Sequence, residues 1–494
     1  MQTRRLLAPL LLAVTGCTPA VRSAPALTPA PAPLAAALDS VFGDTAFARA
    51  HWGVLVRSLD TGATLYRRDS GRMFVPASNM KVVTGAAALE ALGPEFRYRT
   101  RLSATGPVQD GTLRGDLVVE GSGDPTISAR FGGDPRAVFR AWADSLRARG
   151  IQRVAGRLVG DDDAFDDVPL GRGWAWDDVD APYSAEVSAL ELNEGMASVR
   201  VAPGARAGEP ARVALDPPTG YVPMANRAVT AAAGTRVTVE VARDPEGTGI
   251  VVSGAVPLDT MGVEEGVAVR DNTRYFATVL RETLQAAGIE VQGVAADADA
   301  LPEAERSAVR TTLFAHASPP LREILPVFLK PSQNQIGEIL LKTLGRELRG
   351  EGSAQAGRAV TDSLVRMWGL DPRQLAQADG SGLSRYNLVS PELLAGILER
   401  MTRSPHREVW NAALPVAGVD GTLAGRLRGT PLQGRVHAKT GTLSGVRALS
   451  GYLPGPDGER LVFSILLNHH TLTAREADRV IDAALLRIAT GRRP

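Results

Sequence analysis

The segment from Met80 to Leu92 constrains the fold more than any other, because it carries apolar residues on more than one face of a helix. Such a helix is not stable on a surface, where water would contact part of its apolar side, so other elements must enclose it. Gly93 and Pro94 follow directly and predict its end. The surrounding domain is therefore expected to pack around this helix.

Strand-like runs lie near both ends of the chain. The first pair, before the helix, predicts a hairpin, and a later group of three predicts an antiparallel meander. These runs are His51 to Leu59 and Thr64 to Arg68, then Arg435 to Thr442, Val446 to Tyr452 and Leu461 to Asn468. Together with the enclosed helix they predict an α+β domain with an antiparallel sheet.

The middle of the chain differs from both ends. Between Phe96 and about Ala300, short strand-like runs such as Arg236 to Val241 alternate with Gly- and Pro-rich turns. Amphipathic helices are expected near Pro135 to Arg149 and Asn272 to Ala287. The chain has 494 residues, about three times the length of a typical domain. A separate, mainly β module, or two of them, is therefore expected here.

Charge and cysteine content exclude several classes of function. The formal net charge is +1, so the chain has no global electrostatic preference for nucleic acid or for an anionic membrane. Its single cysteine, Cys17, excludes a disulfide framework, a cysteine-based zinc finger and an iron–sulfur cluster.

The N-terminus has the pattern of an export signal. Arg4 and Arg5 precede a short apolar run, Leu6 to Val14, which is too short to span a bilayer. Val14-Thr15-Gly16-Cys17 resembles a bacterial lipoprotein box, so residues 1–16 are interpreted as a signal peptide and residues 17–34 as a lipid-anchored, Ala/Pro-rich linker. The alternative is an ordinary signal peptide that is cleaved after Cys17. Either way the protein is expected in the periplasm or cell envelope.

A serine and a lysine three residues apart open the enclosed helix. Ser78 and Lys81 share one helix face, so the hydroxyl and the amine can meet. Burial lowers the pKa of a lysine, which suits a general base, and the helix N-terminus favours an attacking alkoxide. Taken alone, the pair is more often a helix cap followed by a surface lysine.

Two further short motifs follow in the sequence. Ser332-Gln333-Asn334 stands before an amphipathic helix, where serine and asparagine are also ordinary capping residues. Lys439-Thr440-Gly441-Thr442 lies on the first strand of the meander, where Gly441 would let a ligand backbone approach the strand. Each motif is weak alone, but their order and structural settings are informative together.

In this order the three motifs resemble the active-site set of the penicillin-binding proteins and β-lactamases, with Gln333 in place of the usual aspartate. Further matching strings make the chain similar to class C low-molecular-mass penicillin-binding proteins, which are serine-type D-alanyl-D-alanine carboxypeptidases and endopeptidases. These segments are Gly123-Asp124-Pro125, parts of 165–193, Asp379 to Arg385 and Leu414 to Leu423.

The resemblance implies a β-lactamase/penicillin-binding-protein-like fold, an antiparallel sheet with helices on both faces, interrupted by an inserted module. The gap from Ser78 to Ser332 is more than twice the gap from Ser332 to Lys439. This spacing predicts catalytic segments at 35–95 and 306–494, with a β-rich module of probably two subdomains at 96–305.

The resemblance also implies a role for each motif residue. Ser78 would become the acyl-ester, Lys81 would take its proton and Ser332 would relay a proton to the leaving amine. The substrate-binding residues would be Asn334, Lys439, Thr440, Gly441 and Thr442. Backbone N–H groups of Ser78 and Thr442 would form the oxyanion hole. The implied partners are peptidoglycan stem peptides ending in D-Ala-D-Ala and β-lactams as covalent inhibitors, with no metal or cofactor.

Several alternatives remain open at this point. Glu191 could drive deacylation, as in a β-lactamase, but it precedes Ser332 in the chain, which is the wrong order. His469-His470 and the acidic run Asp161 to Asp163 could bind a metal, although neither has a recognised ligand spacing. Asp379 and Ser381 suit either the border of a cleft or a structural turn. A β-lactamase and a non-catalytic peptidoglycan or β-lactam sensor are the competing functions.

Overall fold

The computed structural model describes residues 32–244 and 247–491. The predicted signal peptide, Cys17 and most of the predicted linker lie outside the described residues. The first helix begins at Ala32, three residues before the predicted start of the catalytic domain. Leu34 is already buried in the core, so we place the start of the folded part at this helix.

Helices occur along the whole described chain and include both of those expected in the middle. They are α1 (Ala32–Phe42), α2 (Met80–Leu92), α3 (Ala129–Gly132), α4 (Arg136–Ala148), α5 (Asn272–Ala286), α6 (Glu303–Arg306), α7 (Leu321–Leu329), α8 (Asn334–Arg349), α9 (Ala354–Met367), α10 (Pro391–Thr402), α11 (Arg407–Ala413) and α12 (Ala474–Thr490).

Most strands, β3 to β19, lie in the middle of the chain, and the others lie near its two ends and at residues 375–389. They are β1 (His51–Ser58), β2 (Thr64–Arg68), β3 (Arg99–Ala104), β4 (Val108–Gln109), β5 (Thr112–Leu113), β6 (Leu117–Glu120), β7 (Arg153–Val154), β8 (Leu158–Asp161), β9 (Met196–Ala202), β10 (Arg212–Asp216), β11 (Met224–Asn226), β12 (Val229–Ala231), β13 (Glu240–Arg243), β14 (Ile250–Ser253), β15 (Ala255–Pro257), β16 (Val263–Ala268), β17 (Glu290–Val291), β18 (Ala295–Asp297), β19 (Thr311–Ala317), β20 (Leu375–Ala376), β21 (Leu388–Val389), β22 (His437–Leu443), β23 (Val446–Pro454) and β24 (Arg460–Asn468).

The main sheet joins the two ends of the chain. Its order is β2-β1-β24-β23-β22, and every neighbouring pair is antiparallel. Because side chains alternate between the faces of a strand, Trp52, Val54 and Val56 enter one core while Leu55 enters another. The sheet is therefore buried on both faces.

Helices cover each face of this sheet. On one side α1 and α12 pack against it and against each other, and on the other side α10 packs against β1, β23 and β24. Helix α2 is enclosed by α7, α8, α9 and α10, and ten of its thirteen residues are buried. This agrees with the expected enclosed helix, and the predicted fold class is confirmed.

The middle of the chain forms the inserted module. Its largest sheet has the order β18-β8-β6-β3-β19, and smaller sheets are built from β4, β5, β7 and β17 and from strands β9 to β16. One continuous apolar core, which includes Phe139, Trp142, Val199 and Phe276, joins the sheets to α4 and α5. The division into two subdomains stays a prediction.

The sequence predicts that the module ends at residue 305, and the pairing of β19 favours a later end. Strand β19 pairs antiparallel with β3 from Thr311 to Ala317, which makes it an edge strand of the module's largest sheet. The hydroxyl of Ser318 then accepts the backbone N–H of Tyr98 at 3.0 Å, where the chain enters and leaves the module. We propose that the module ends near residue 318.

Within residues 32–244 and 247–491, no helix combines the length and the apolar character that crossing a bilayer requires.

Candidate active site

Ser78 lies in a 3₁₀ turn, Ala77–Asn79, immediately before α2. The hydroxyl of Ser78 is partly exposed, whereas Lys81, one turn later, is fully buried. The Lys81 amine donates to Ser78 Oγ at 3.0 Å. The 3₁₀ turn and the first helical turn thus present a hydroxyl to the cleft and an amine behind it.

The Lys81 amine makes two further hydrogen bonds, to Asn334 Oδ1 at 2.7 Å and to the backbone carbonyl of Ser381 at 2.8 Å. With Ser78 Oγ, the Lys81 amine therefore has three acceptors, and all of them are neutral. Burial lowers the pKa of Lys81 to about 7, against an opposing effect from the carboxylates of Asp379 and Glu338. At neutral pH a substantial fraction of this amine is therefore unprotonated.

Ser332 and Asn334 reach the site because Gln333, between them, caps the helix. The side chain of Gln333 accepts the backbone N–H of Ile336 at 2.8 Å and so begins α8. Ser332 has a left-handed backbone, φ 67°, which turns its hydroxyl toward the cleft. Asn334 accepts from Lys81 and donates to the carbonyl of Tyr183 at 2.8 Å. The residue that replaces the usual aspartate thus has a structural role.

Strand β22 supplies the second buried amine of the site. Lys439 donates to Ser332 Oγ at 2.8 Å and to the carbonyl of Thr440 at 3.0 Å. Burial, with a contribution from the nearby Lys81, holds the pKa of Lys439 well below its usual range. Each active-site serine is therefore hydrogen-bonded to one buried lysine, Ser78 to Lys81 and Ser332 to Lys439.

The other residues of β22 occupy different positions. Thr442 lines the cleft, and its hydroxyl accepts from Arg447 on β23. Thr440 is buried and donates to Thr422 Oγ1 at 2.7 Å. A Cβ on Gly441 would lie 2.6 Å from the carbonyl oxygen of Pro76, so the backbone that this glycine admits is the segment before Ser78. Its contact with a ligand stays a prediction.

A cleft of about 620 Å³ opens over these residues. Ser78, Ser332, Asn334 and Thr442 line it on the catalytic side. The inserted module forms part of the opposite wall with Gly173, Ala175, Asp177, Asp178 and Tyr183, and the segments 382–385 and 442–444 complete the lining. The matching string around 165–193 therefore lies at the cleft, although the sequence analysis gave those residues no role.

Two groups that the sequence analysis did not identify also contact the site. They are the backbone carbonyls of Ser381 and Tyr183, which bind Lys81 and Asn334. Asp379 and Ser381, for which two positions were open, are fully buried and belong to a structural turn. Because a backbone carbonyl has no side-chain identity, the sequence contains no signal for its role.

Several alternative site residues lie in the inserted module. Glu191 is buried there and accepts from the Ser188 backbone N–H and from Asn272. Carboxylate oxygens of Asp162, Asp297 and Asp299 lie within 4.8 Å of one another, and Asp162 already accepts from the hydroxyls of Ser188 and Thr273. None of these residues lines the catalytic cleft within the described residues.

The paired serines and buried amines, on this sheet with its inserted module, define a serine hydrolase of the penicillin-binding-protein class. Residues 34–489 match the model of the D-Ala-D-Ala carboxypeptidase 3 (S13) family, and the chain belongs to that family. The predicted resemblance and the predicted enzyme class, a serine-type D-Ala-D-Ala carboxypeptidase, are confirmed.

Relatives of known name and structure agree with this assignment. A D-alanyl-D-alanine carboxypeptidase of an Actinomadura species is 40% identical over 465 residues, which cover 92% of this chain and 84% of the relative. The carboxypeptidase DacB of Haemophilus influenzae is 27% identical over 427 residues, which cover 85% of each chain. The crystal structure of penicillin binding protein 4 (dacB) from H. influenzae superposes with a TM-score of 0.78 at 25% identity, covering 91% of this chain and 97% of that one.

Proposed function

We propose that this protein hydrolyses the D-Ala-D-Ala ends and cross-links of peptidoglycan stem peptides through an acyl-enzyme on Ser78. The observation that carries the proposal is the 3.0 Å contact between the Lys81 amine and Ser78 Oγ, in a setting where burial lowers the pKa of Lys81 to about 7. An amine of that pKa accepts the serine proton at neutral pH, which an ordinary lysine does poorly.

Acylation follows from this arrangement. Ser78 Oγ attacks the carbonyl of the penultimate D-Ala while its proton passes to Lys81. The C–N bond then breaks, and Ser332, next to the Lys439 amine, delivers a proton to the departing D-Ala nitrogen. Water hydrolyses the ester and releases the shortened peptide. The backbone N–H groups of Ser78 and Thr442 would stabilise the oxyanion, a contribution of about 3 kcal/mol for each donor.

Substrate binding is assigned to the residues around this centre. Lys439 makes the site electropositive, and Thr440 and Thr442 bind the terminal carboxylate. Asn334 holds both the Lys81 amine and the amide oxygen of the substrate. β-Lactams acylate Ser78 as slowly released mimics of D-Ala-D-Ala. A related structure of H. influenzae penicillin binding protein 4 is described as a complex with a β-lactam, which supports this part of the proposal.

The first test is to mix the protein with excess benzylpenicillin and to follow its intact mass over hours. We expect a persistent adduct on the Ser78 peptide, which Ser78→Ala abolishes without loss of folding. Ser444→Ala is the matched control, since Ser444 lines the same cleft without a lysine partner of its own, and this variant should still be labelled. Labelling that survives in Ser78→Ala would refute the nucleophile assignment.

The other outcomes separate the competing functions. Rapid loss of penicillin with only a fleeting adduct would favour a β-lactamase. A stable adduct without release of D-Ala from a pentapeptide would favour a sensor. Release of free D-Ala, compared with cleavage of cross-linked muropeptide dimers, measures the balance between carboxypeptidase and endopeptidase activity.

We also propose that the protein is exported to the periplasm or cell envelope and anchored by a lipid on Cys17. The support is the charged and apolar pattern of the first sixteen residues and the Ala/Pro-rich segment that follows. Cys17→Ser should release the protein from the membrane fraction. An unchanged distribution between soluble and membrane fractions would refute the lipid anchor.

A further inference from the structure

One loop makes hydrogen bonds to both α2 and α8, the two helices next to the active-site residues. In the segment Asp379–Gly382, the carbonyl of Gly380 accepts from Thr84 Oγ1 on α2 at 2.8 Å, and the carbonyl of Ser381 accepts from Lys81. Lys81 and Thr84 lie three residues apart on the same face of α2. The carbonyl groups of this loop therefore point toward α2.

The N–H groups of the same loop bind α8. The carboxylate of Glu338 accepts the backbone N–H of Gly380 with one oxygen and that of Ser381 with the other, both at 2.8 Å. Glu338 is buried and stands one helical turn after Asn334, which binds the same Lys81 amine. A single carboxylate thus holds the peptide group whose neighbouring carbonyl contacts Lys81.

The loop backbone approaches both sides so closely that only glycine fits at two positions. A Cβ on Gly380 would collide with the carbonyl of Gly337 on α8, and one on Gly382 would collide with the carbonyl of Ala77, just before Ser78. The loop is therefore clamped between α8 and the nucleophile turn. Any change in how α8 holds it would be transmitted to Lys81 and Ser78.

We propose that Glu338 is a positioning residue for acylation: its carboxylate fixes the 380–381 backbone and thereby orients the Lys81 amine toward Ser78. The inference rests on the proposed role of Lys81 as the base. Glu338 touches neither substrate nor Ser78 in this scheme; it acts on Lys81 through the loop and through its negative charge. A glutamine has one acceptor oxygen for two N–H donors, and its NH₂ group would face a donor. The carboxylate form is therefore required.

Charged groups on several elements face this pair. Lys81 is close to Asp379 and Glu338, and its charge lowers the pKa of Lys439 on β22. Burial, with Asp379, raises the pKa of Glu338 to about 7, while its N–H donors lower it. Arg358 on α9 also interacts with Glu338 and Asp379. Removing the Glu338 carboxylate leaves Lys81 with less compensating charge, so protonated Lys81 becomes less favourable.

The test compares Glu338→Gln with wild type in the rate constant for acylation by benzylpenicillin and in kcat and KM for D-Ala release, between about pH 5 and pH 9. We expect the acylation rate constant at its high-pH plateau, and kcat, to fall about 10- to 100-fold with little change in KM. The acid limb, in which the acylation rate constant falls with decreasing pH, should move to lower pH by about one unit or less. A purely structural role would scale the profile without moving this limb.

Glu191→Gln is the matched control. Glu191 is also a buried glutamate with two N–H donors, but they belong to Ser188 and Asn272 in the inserted module. This variant should lose stability and keep the wild-type profile per folded molecule. If Glu338→Gln gives the same result as Glu191→Gln, the inference is wrong.

Glu338→Asp covers the case in which Glu338→Gln does not fold. It keeps the charge, so its acid limb should stay at the wild-type pH while the plateau falls; a wild-type plateau would overturn the inference. Failure of the proposed function is distinguishable, because wild-type protein would then form no adduct on Ser78 at all.

Discussion

Two buried lysines on neighbouring helices lie in opposite electrostatic settings. At the cleft, Lys81 on α2 donates to a hydroxyl, an amide oxygen and a backbone carbonyl, all of them neutral. At the contact with the inserted module, Lys342 on α8 donates to the Asp166 carboxylate at 2.6 Å and to the carbonyls of Asp166 and Val168. Both amines are satisfied, but only Lys342 has a carboxylate as a direct partner.

The difference shows how one residue type is used in two ways. The ion pair with Asp166 and the two carbonyl contacts suit Lys342 to tether the module segment at 166–168 to α8. Three neutral acceptors hydrogen-bond the Lys81 amine but do not offset the full free-energy cost of burying its positive charge. Burial therefore lowers the pKa of Lys81 to about 7. Chemistry is thus assigned to Lys81 and attachment to Lys342.

The largest expected effect is that of Lys81→Met. Acylation by benzylpenicillin should slow at least about 1000-fold, because Ser78 loses its base. The thermal midpoint should stay equal or rise, since an apolar side chain replaces a buried amine that has no direct carboxylate partner. Rapid-quench mass spectrometry and calorimetry measure the two quantities. If Lys81→Met is acylated at the wild-type rate, Lys81 is not the base, and the two lysines do not differ in function as inferred.

The pH dependence is the next largest effect. The pKa of Lys81 in the folded protein is lowered, so its neutral, proton-accepting form increases as pH rises through about 7. Acylation should therefore fall about tenfold for each pH unit well below that value. Stopped-flow measurements with a chromogenic β-lactam test this, with Lys342→Met as the control whose acid limb should not move. A limb near pH 4 would indicate a carboxylate base instead.

Lys342→Met should affect stability rather than chemistry. It leaves Asp166, which is about one-third exposed, and two carbonyls without their donor. The free energy of unfolding should drop by about 1–3 kcal/mol, less than for a fully buried ion pair because water reaches Asp166. Urea unfolding measures the loss. A large fall in acylation rate per folded molecule would contradict the assignment of Lys342 to attachment.

Trp174→Phe should give the smallest effect and tests whether the module also supports the Lys81 side. Trp174 Nε1 donates to Asp379 Oδ2 at 3.0 Å, and Asp379 also accepts from the backbone of Gly382 and Ser384. Losing one of these bonds costs about 1 kcal/mol, so acylation should slow about fivefold or less. An unchanged acylation rate would mean that only residues of the catalytic domain position Lys81.

Much of the fold could be predicted from local patterns. The enclosed helix, the hairpin and the meander follow from periodicity and turn residues, and the structure places each within two residues of its expected bounds. The predicted run Arg236 to Val241 is only partly correct, because the strand covers Glu240–Arg243. Most of that run is exposed to solvent, so pairing with β14 decides the extent of the strand.

The proposed end of the inserted module, near residue 318, does not follow from local patterns in the same way. Thr311 to Ala317 is a short edge strand, and only its pairing with β3, over two hundred residues earlier, assigns it to the module. Local sequence does not contain that information, because many partners satisfy the backbone of an edge strand equally well.

The sequence by itself was enough to propose the chemistry-bearing side chains, because their types, order and positions relative to a buried helix and a core strand are specific in combination. These side chains are Ser78, Lys81, Ser332, Asn334 and Lys439. Only the tertiary structure decided that the carbonyl of Ser381 holds Lys81 and that Glu338 holds the loop. Those contacts involve backbone atoms and a common residue type, brought together by segments far apart in the chain. Long-range packing therefore assigned roles that local patterns could not distinguish.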